Sequence, residues 1–389
     1  MPEAVIVSTR RSPIGRAFKG SLIDVRPDDL AGFISKKLVD DLDGFDPIEI
    51  EDVICGSAIQ AGEQSMNIGK VVAALAGFPD EVAGSSVNRF CASSLQSIRT
   101  ASHAIQAGEG DAFLAVGVES VSRTGGRAFD PAKDSNPRFT EPTRDDYVND
   151  HYISMGLTAE NVADRWGISR EDMDEYAALS QNRAVAAQES GFFAEEITPV
   201  PLPDGTIVTS DDGPRPGTTV ESLSGLKPVF REDGRVTAGN SCPLNDGAAA
   251  ALVMSDTRAN ELGLTPRARI ISSAVTGCAP EMMGIGPISA IELALKRAGM
   301  TISDIDIVEL NEAFAAQVLP ICSEVGIDID SQLNPHGGAI ALGHPFGMTG
   351  IRIMTTLLHE LEAFDKSIGL ETMCVGGGQG MAMVVERIS

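Results

Sequence analysis

The chain has 389 residues, 43% of them hydrophobic and 22% charged, with a formal net charge of −25. This length exceeds one ordinary domain, and the composition is that of a well-cored globular protein. The acidic excess argues against a nucleic-acid backbone or an anionic membrane surface as partner, so any anionic substrate must be met by local cations.

Residues 1–8 lack both the basic start and the long apolar stretch of a secretory signal. No apolar run approaches the ~18 residues that cross a bilayer. The six cysteines, at 55, 91, 242, 278, 322 and 374, show no CxxC spacing. Together these features predict a cytoplasmic protein with reduced thiols. Five scattered histidines with no paired-ligand motif predict no metal site.

In chain order, residues 4–8 predict a short strand and 10–15 a turn. Residues 28–42 predict a helix with an acidic first turn, 53–57 a strand and turn, and 67–76 a helix ended by Gly77 and Pro79. In the stretch 86–107, Leu95, Ile98, Ala101 and Ile105 recur at three and four residues, as one buried helix face does. Cys91 therefore sits at a helix mouth, with Ser93 and Ser94 in the first turn, where free N–H groups and the dipole favour a thiolate. Gly108 closes this helix, and 112–118 is a wholly apolar strand of the central-sheet kind. Strands alternating with helices predict a layered α/β sheet.

Composition shifts near Ser120. From there to Asp246 the chain holds many of its prolines and most of its tyrosines, with helices predicted over 158–166 and, capped by Ser169, over 170–190. This reads as an insertion of loops and short helices. Strands resume at 247–254 and 268–272, and from Ala274 the second half repeats the first. It has a helix over 288–298 and a strand over 305–310. A polar turn over 343–347 then precedes a helix from Thr349, and a strand over 371–375 leads into Gly376, Gly377 and Gly378. Ile98 and Arg99 lie seven and eight residues beyond Cys91, as Ile351 and Arg352 do beyond His344. A duplication in that register puts Cys91 and His344 at equivalent helix mouths across a pseudo-twofold axis, at sheet ends where open α/β sheets bind ligands. The expected organisation is an N-terminal α/β half (1–120 and 247–270), a loop domain (121–246) and a C-terminal α/β half (271–389).

Four segments wedge a polar residue among small ones at a turn: 88–91, 309–314, 337–345 and 374–378. Singly, each has a structural reading: His344 as a cap, Asn311 in an Asx turn, Cys374 as a strand-end core residue. Jointly they offer a nucleophile, a base, an amide donor and a second thiol.

Over essentially its whole length the chain resembles the thiolase family. Asn88-Arg89-Phe90-Cys91-Ala92-Ser93-Ser94 is similar to the family's nucleophile segment, and Asn311-Glu312-Ala313-Phe314 to its Asn-Glu-Ala-Phe segment. Residues 337–345 resemble its Gly-His-Pro segment, and Cys374-Val375-Gly376-Gly377-Gly378 its Cys-x-Gly-Gly-Gly segment. The resemblance implies a duplicated layered α/β fold with an inserted loop domain, and thiolytic cleavage of 3-ketoacyl-CoA through an acyl-cysteine. In that chemistry Cys91 is the nucleophile, His344 its base, and Cys374 the acid and base at the enolate and at CoA. His344 with a water on Asn311 forms one oxyanion hole, and the N–H groups of Cys91 and Gly376 the other. Coenzyme A is a substrate, and no cofactor is implied.

By position in the family pattern, Ser154, Met155, Arg215, Ser222, Phe230, Ala238, Cys242 and Phe314 fall at CoA-contacting places. Ser154-Met155-Gly156 is more like the degradative members than the His-Met-Gly of short-chain biosynthetic ones, and Cys242 stands where Ser is commoner. His336 is read as a turn residue after Pro335, with a second acid–base group as the alternative. The resemblance implies a homodimer, or a dimer of dimers joined through the stretch near 123–138. The competing readings are a biosynthetic acetyl-CoA acetyltransferase, a thiolase-like acyl-CoA or lipid carrier, a Cys–His hydrolase and a carrier-protein condensing enzyme.

Overall fold

The structure, a computed structural model, describes residues 2–125 and 129–388. The stretch near 123–138, expected to join dimers, therefore falls partly outside the described residues. The first half contributes strands β1 (Ala4–Arg11), β2 (Asp52–Gly56), β3 (Ala83–Val87), β4 (Ala112–Ser120) and β5 (Asn245–Ser255), with helices α1 (Pro27–Asp40), α2 (Ile68–Leu75) and α3 (Ser93–Ala107). They lie in the order β3-β2-β4-β5-β1, with β2 parallel to both neighbours and β5 antiparallel to both of its own. The insertion carries α4 (Met155–Trp166) and α5 (Arg170–Ser190), the latter opened by a capping box between Ser169 and Asp172.

The second half repeats this plan with β6 (Ala268–Gly277), β7 (Ile307–Leu310), β8 (Ile368–Val375) and β9 (Gln379–Arg387), and with α6 (Gly286–Ala298), α7 (Ala315–Val325) and α8 (Thr349–Ala363). Its order is β7-β8-β9-β6, a parallel pair followed by antiparallel neighbours. Leu333 bridges Val308 in the place that β3 holds beside β2. The half-sheets join through β1 and β6, where Val5 faces Arg269 and Ile6 faces Ala268.

Strand residues alternate between two cores, as the period of two requires. Val53 and Cys55 pack outward under α1 and α2 with Ile34, Leu38 and Val72, while Ile54 points inward. The inner core holds Leu95, Ile98 and Ile105 of α3 and Ile351, Met354 and Leu358 of α8, between Ile54 and Val253 of one half and Met373 and Val385 of the other. Beneath the second half, α6 and α7 supply Ile291, Leu295, Val318 and Ile321. The result is five layers, helix–sheet–helix–sheet–helix, with β4 and β5 buried at every residue. No helix of the described residues is long and apolar enough to cross a membrane.

The duplication is real, but the register expected from Ile98-Arg99 and Ile351-Arg352 is three residues out. Helices α3 and α8 are each 15 residues long and stand the same distance before β4 and β8. At their crossing the Ile351 N–H donates to Ser94 Oγ (3.1 Å), and Gly350 lies so close to Leu95 that a side chain there would strike the Leu95 backbone N. These paired contacts make Ser94 equivalent to Gly350 and Leu95 to Ile351. Cys91 thus lies two residues before its helix and His344 five before its own.

Three of these elements escape the sequence reading. Strand β3, Ala-Gly-Ser-Ser-Val, is a half-exposed edge with a single β-branched residue. Helix α7 contains Pro320, which reads as a breaker. Strand β9 lies beyond the glycine turn after β8.

Candidate active site

The Cys91 turn is shaped locally. Asn88 Oδ1 accepts the Phe90 N–H (2.9 Å), and Ser93 Oγ accepts the Arg89 N–H (2.9 Å) while donating to the Phe90 carbonyl (2.7 Å). Phe90 is held at φ +45°, an uncommon conformation for a bulky residue. A 3-10 turn over Phe90–Ala92 then feeds α3. The backbone N–H groups of Gly376 and of Cys91 itself hold the Cys91 pKa down, as a helix mouth should. Burial is the larger effect and pushes the thiol up to about 12, helped by the Glu119 carboxylate. The expected standing thiolate is therefore corrected to a resting thiol, because two N–H groups do not replace the water lost.

His344 is buried, its own N–H bound to Asn245 Oδ1 (3.0 Å). Its Nδ1 lies 2.6 Å from Thr349 Oγ, and that hydroxyl donates its single hydrogen to the Pro345 carbonyl (2.8 Å). Nδ1 must then carry the ring proton, leaving Nε2 bare. Asn311 Nδ2 faces Nε2 at 3.4 Å, and Asn311 Oδ1 is buried with no partner among the described residues. Burial, with Arg352 nearby, pushes the imidazolium pKa down to about 3. The site rests as neutral imidazole beside neutral thiol.

Cys374 is the penultimate residue of β8, with its Sγ–H donated to Gln317 Oε1 at 3.4 Å. Burial raises its pKa well above that of a free thiol, and the nearby Cys91 and Cys242 raise it further. Cys91, His344 and Cys374 line one cavity of about 350 Å³, together with Met155, Phe230, Cys242 and Phe314. A second cavity of about 380 Å³ meets it at Cys91, Met155 and Phe346, and runs past Ala58, Ile59, Phe90, Tyr152 and Gly376. The first half thus supplies one sulfur, and the second half the imidazole and the other sulfur.

Of the remaining positions singled out from the sequence, Ser154, Arg215, Ser222 and Ala238 are exposed and line neither cavity. Ser154 is the N-cap residue of α4, and Ser222 is tied into a capping box with Thr219. Arg215 donates its backbone N–H to Gln181 Oε1 (2.9 Å). His336 also lies off both cavities. It is stacked 3.6 Å from Phe192, its Nδ1 is 2.9 Å from Glu360, and burial drives its pKa down to about 4.

Sequence reasoning missed the residues that brace these loops. Glu312 accepts from Tyr176 (2.7 Å), Ser180 (2.6 Å), Asn334 (2.8 Å) and the Ile340 N–H (3.1 Å), tying α5 to the loop before His344. Glu119, its pKa raised by burial, accepts from the N–H groups of Ala58 (2.9 Å), Ile59 (3.2 Å) and Gly347 (2.9 Å). A carboxylate amid Asn, Ala and Phe was the visible signal for Glu312. Thr349 and Asn245 carried none.

Comparison with known proteins places this site in context. Residues 4–257 match the thiolase N-terminal domain and 264–387 the thiolase C-terminal domain. The chain is 47% identical over 395 residues to a 3-ketoacyl-CoA thiolase of Aeromonas hydrophila, covering 100% of both. It is 45% identical over 402 residues to the 3-oxoadipyl-CoA/3-oxo-5,6-dehydrosuberyl-CoA thiolase of Escherichia coli, again covering 100% of both. The dimeric peroxisomal thiolase of Saccharomyces cerevisiae superposes with a TM-score of 0.92 at 38% identity, covering 100% of this chain and 98% of that one.

Proposed function

The chain belongs to the thiolase family and is an acyltransferase that cleaves 3-ketoacyl-CoA with CoA; we propose that Cys91, His344 and Cys374 carry out this reaction. The observation that carries the assignment is that these three residues, drawn from both halves, line one cavity. His344 Nε2, bare in the tautomer set by Thr349, takes the Cys91 proton as the sulfur attacks the keto carbon. The carbon–carbon bond breaks, leaving an acyl group on Cys91 and the enolate of acetyl-CoA. Cys374 protonates that enolate, then takes the proton of the incoming CoA thiol, which attacks acyl-Cys91; the Cys91 sulfur leaves and recovers its proton from His344. The N–H groups of Gly376 and Cys91 already act on the Cys91 sulfur and are the donors for the oxygen charge that develops beside it. One such donor is typically worth roughly 2.7–4 kcal/mol. Asn311 and His344 serve the enolate oxygen.

CoA is bound as a substrate without a further cofactor, its pantetheine arm against Met155, Phe230, Cys242 and Phe314 and its nucleotide toward Arg215. The second cavity takes the acyl tail. Ser154-Met155-Gly156 and the names of the similar proteins favour degradation over acetyl-CoA condensation. A cytoplasmic homo-oligomer is the corresponding assembly, and the yeast thiolase of like fold is described as dimeric. A panel of 3-ketoacyl-CoA substrates of increasing chain length, assayed for CoA-dependent cleavage, tests the reading. Strong preference for acetoacetyl-CoA would move it to the biosynthetic acetyltransferase, and tight binding without turnover to a carrier. Cys91→Ala is expected to abolish both turnover and acyl loading, so an acyl adduct surviving in that variant by mass spectrometry would refute the nucleophile.

A further inference from the structure

Gln317 sits in the first turn of α7, 2% exposed, with its Oε1 accepting the Cys374 Sγ–H at 3.4 Å. Its Nε2 is buried with no partner among the described residues. Gly284 packs directly against the side chain, and even a methyl group there would collide with the Gln317 Cγ, Cδ and Nε2. The amide is thus clamped beside one sulfur, and half of its hydrogen-bonding capacity is unused. A buried donor left idle is unfavourable. Its retention fits a second state of the partner in which a donor is needed.

We propose that Gln317 is a positioning residue for both protonation states of Cys374: its carbonyl oxygen holds the thiol, and its NH2 group, brought round by a half-turn of the amide, holds the thiolate. This rests on the acid–base role of Cys374 proposed above. When Cys374 protonates the enolate, the S–H bond breaks, a C–H bond forms, and the electron pair stays on sulfur. The Oε1 of Gln317 then faces an anion. The terminal torsion of Gln is broad and nearly two-fold, so exchanging O for NH2 preserves the shape that Gly284 encloses. An N–H donor now meets the thiolate, and the exchange reverses when CoA returns the proton. A carboxylate could not serve the second state, nor a hydrocarbon either one.

The test compares wild type with Gln317→Glu and Gln317→Met. It measures exchange of acetyl-CoA methyl protons with deuterated water, which needs Cys374, and alkylation of Cys91 by iodoacetamide, which does not. Both variants should alkylate Cys91 at the wild-type rate while exchange falls at least tenfold at neutral pH. In Gln317→Glu the exchange should be best at the acid end, where the carboxyl is protonated and can donate, and should fall as that group ionises. Exchange within twofold of wild type in both variants overturns the proposal. So does a parallel loss of alkylation, which would mean a packing role alone. Wild type that neither exchanges nor cleaves a 3-ketoacyl-CoA would instead sink the assignment of Cys374, and this inference with it.

Discussion

Thr349→Val changes one hydroxyl to a methyl group in a fully buried position and leaves side-chain shape nearly intact. In the native site Thr349 Oγ accepts from His344 Nδ1 at 2.6 Å and donates to the Pro345 carbonyl at 2.8 Å. Valine can do neither. A buried Nδ1–H without an acceptor is disfavoured by roughly 1–3 kcal/mol, which moves the ring proton toward Nε2, where it blocks the base. At about 1.4 kcal/mol per decade this predicts a loss of kcat/KM between roughly fivefold and 150-fold. The KM for CoA should change little, because Thr349 lines neither cavity. Steady-state thiolysis of acetoacetyl-CoA gives the rate, and nitrogen-15 NMR of the imidazole reports which nitrogen carries hydrogen. Thr349→Ser should stay near wild type in both. A Val variant within twofold of wild type, or a Ser variant equally impaired, would refute the tautomer argument.

Because burial holds the Cys91 thiol up at about 12 and the His344 imidazolium down at about 3, the resting pair is neutral from acid to alkaline pH. Alkylation of Cys91 by iodoacetamide should therefore rise about tenfold per pH unit between 6 and 9; a flat profile in that range would reveal a standing thiolate–imidazolium pair. The same depression of His344 below its unfolded value means the unfolded chain binds the extra proton first. Stability should accordingly fall as pH drops from about 6.5 toward 3, and His344→Gln should flatten part of that fall in denaturant titrations. Glu312→Ala strands donors from Tyr176, Ser180, Asn334 and Ile340. It should lower unfolding free energy by roughly 3 kcal/mol or more, and a loss under 1 kcal/mol in urea would contradict its bracing role.

Local signals were legible where short-range chemistry decides. The Ser169 cap and its acidic turn mark the start of α5 at Arg170, and Gly108, left-handed at φ +76°, ends α3 as its sequence position suggests. Strand β3 was not legible, because Ala83 to Val87 is strand by virtue of its pairing with β2 rather than its own side chains. The four polar segments of the site stood out in the chain, and three of them supply Cys91, His344 and Cys374 to one cavity. The resting protonation of Cys91 was not legible, for a physical reason. A helix mouth is visible in sequence, whereas the desolvation that outweighs it arises only when both halves close over Cys91. Thr349 and Gln317 were missed because their roles depend on which lone pair faces which hydrogen across a fold. Gln317 reaches Cys374 over 57 positions of chain.

The contact between Gly350 and Leu95 has a mechanical consequence. Nucleophile and base belong to different halves, so their separation is governed by how those halves slide, not by anything stiff within either one. At the helix crossing the Gly350 main chain rests against the main chain and Cβ of Leu95, and Ser94 Oγ pins the Ile351 N–H beside it. Such a bearing has almost no play. The alignment of sulfur and imidazole is therefore set at a crossing whose residues, Leu95 and Gly350, line neither cavity, so tolerance there bears on the rate without contact with substrate.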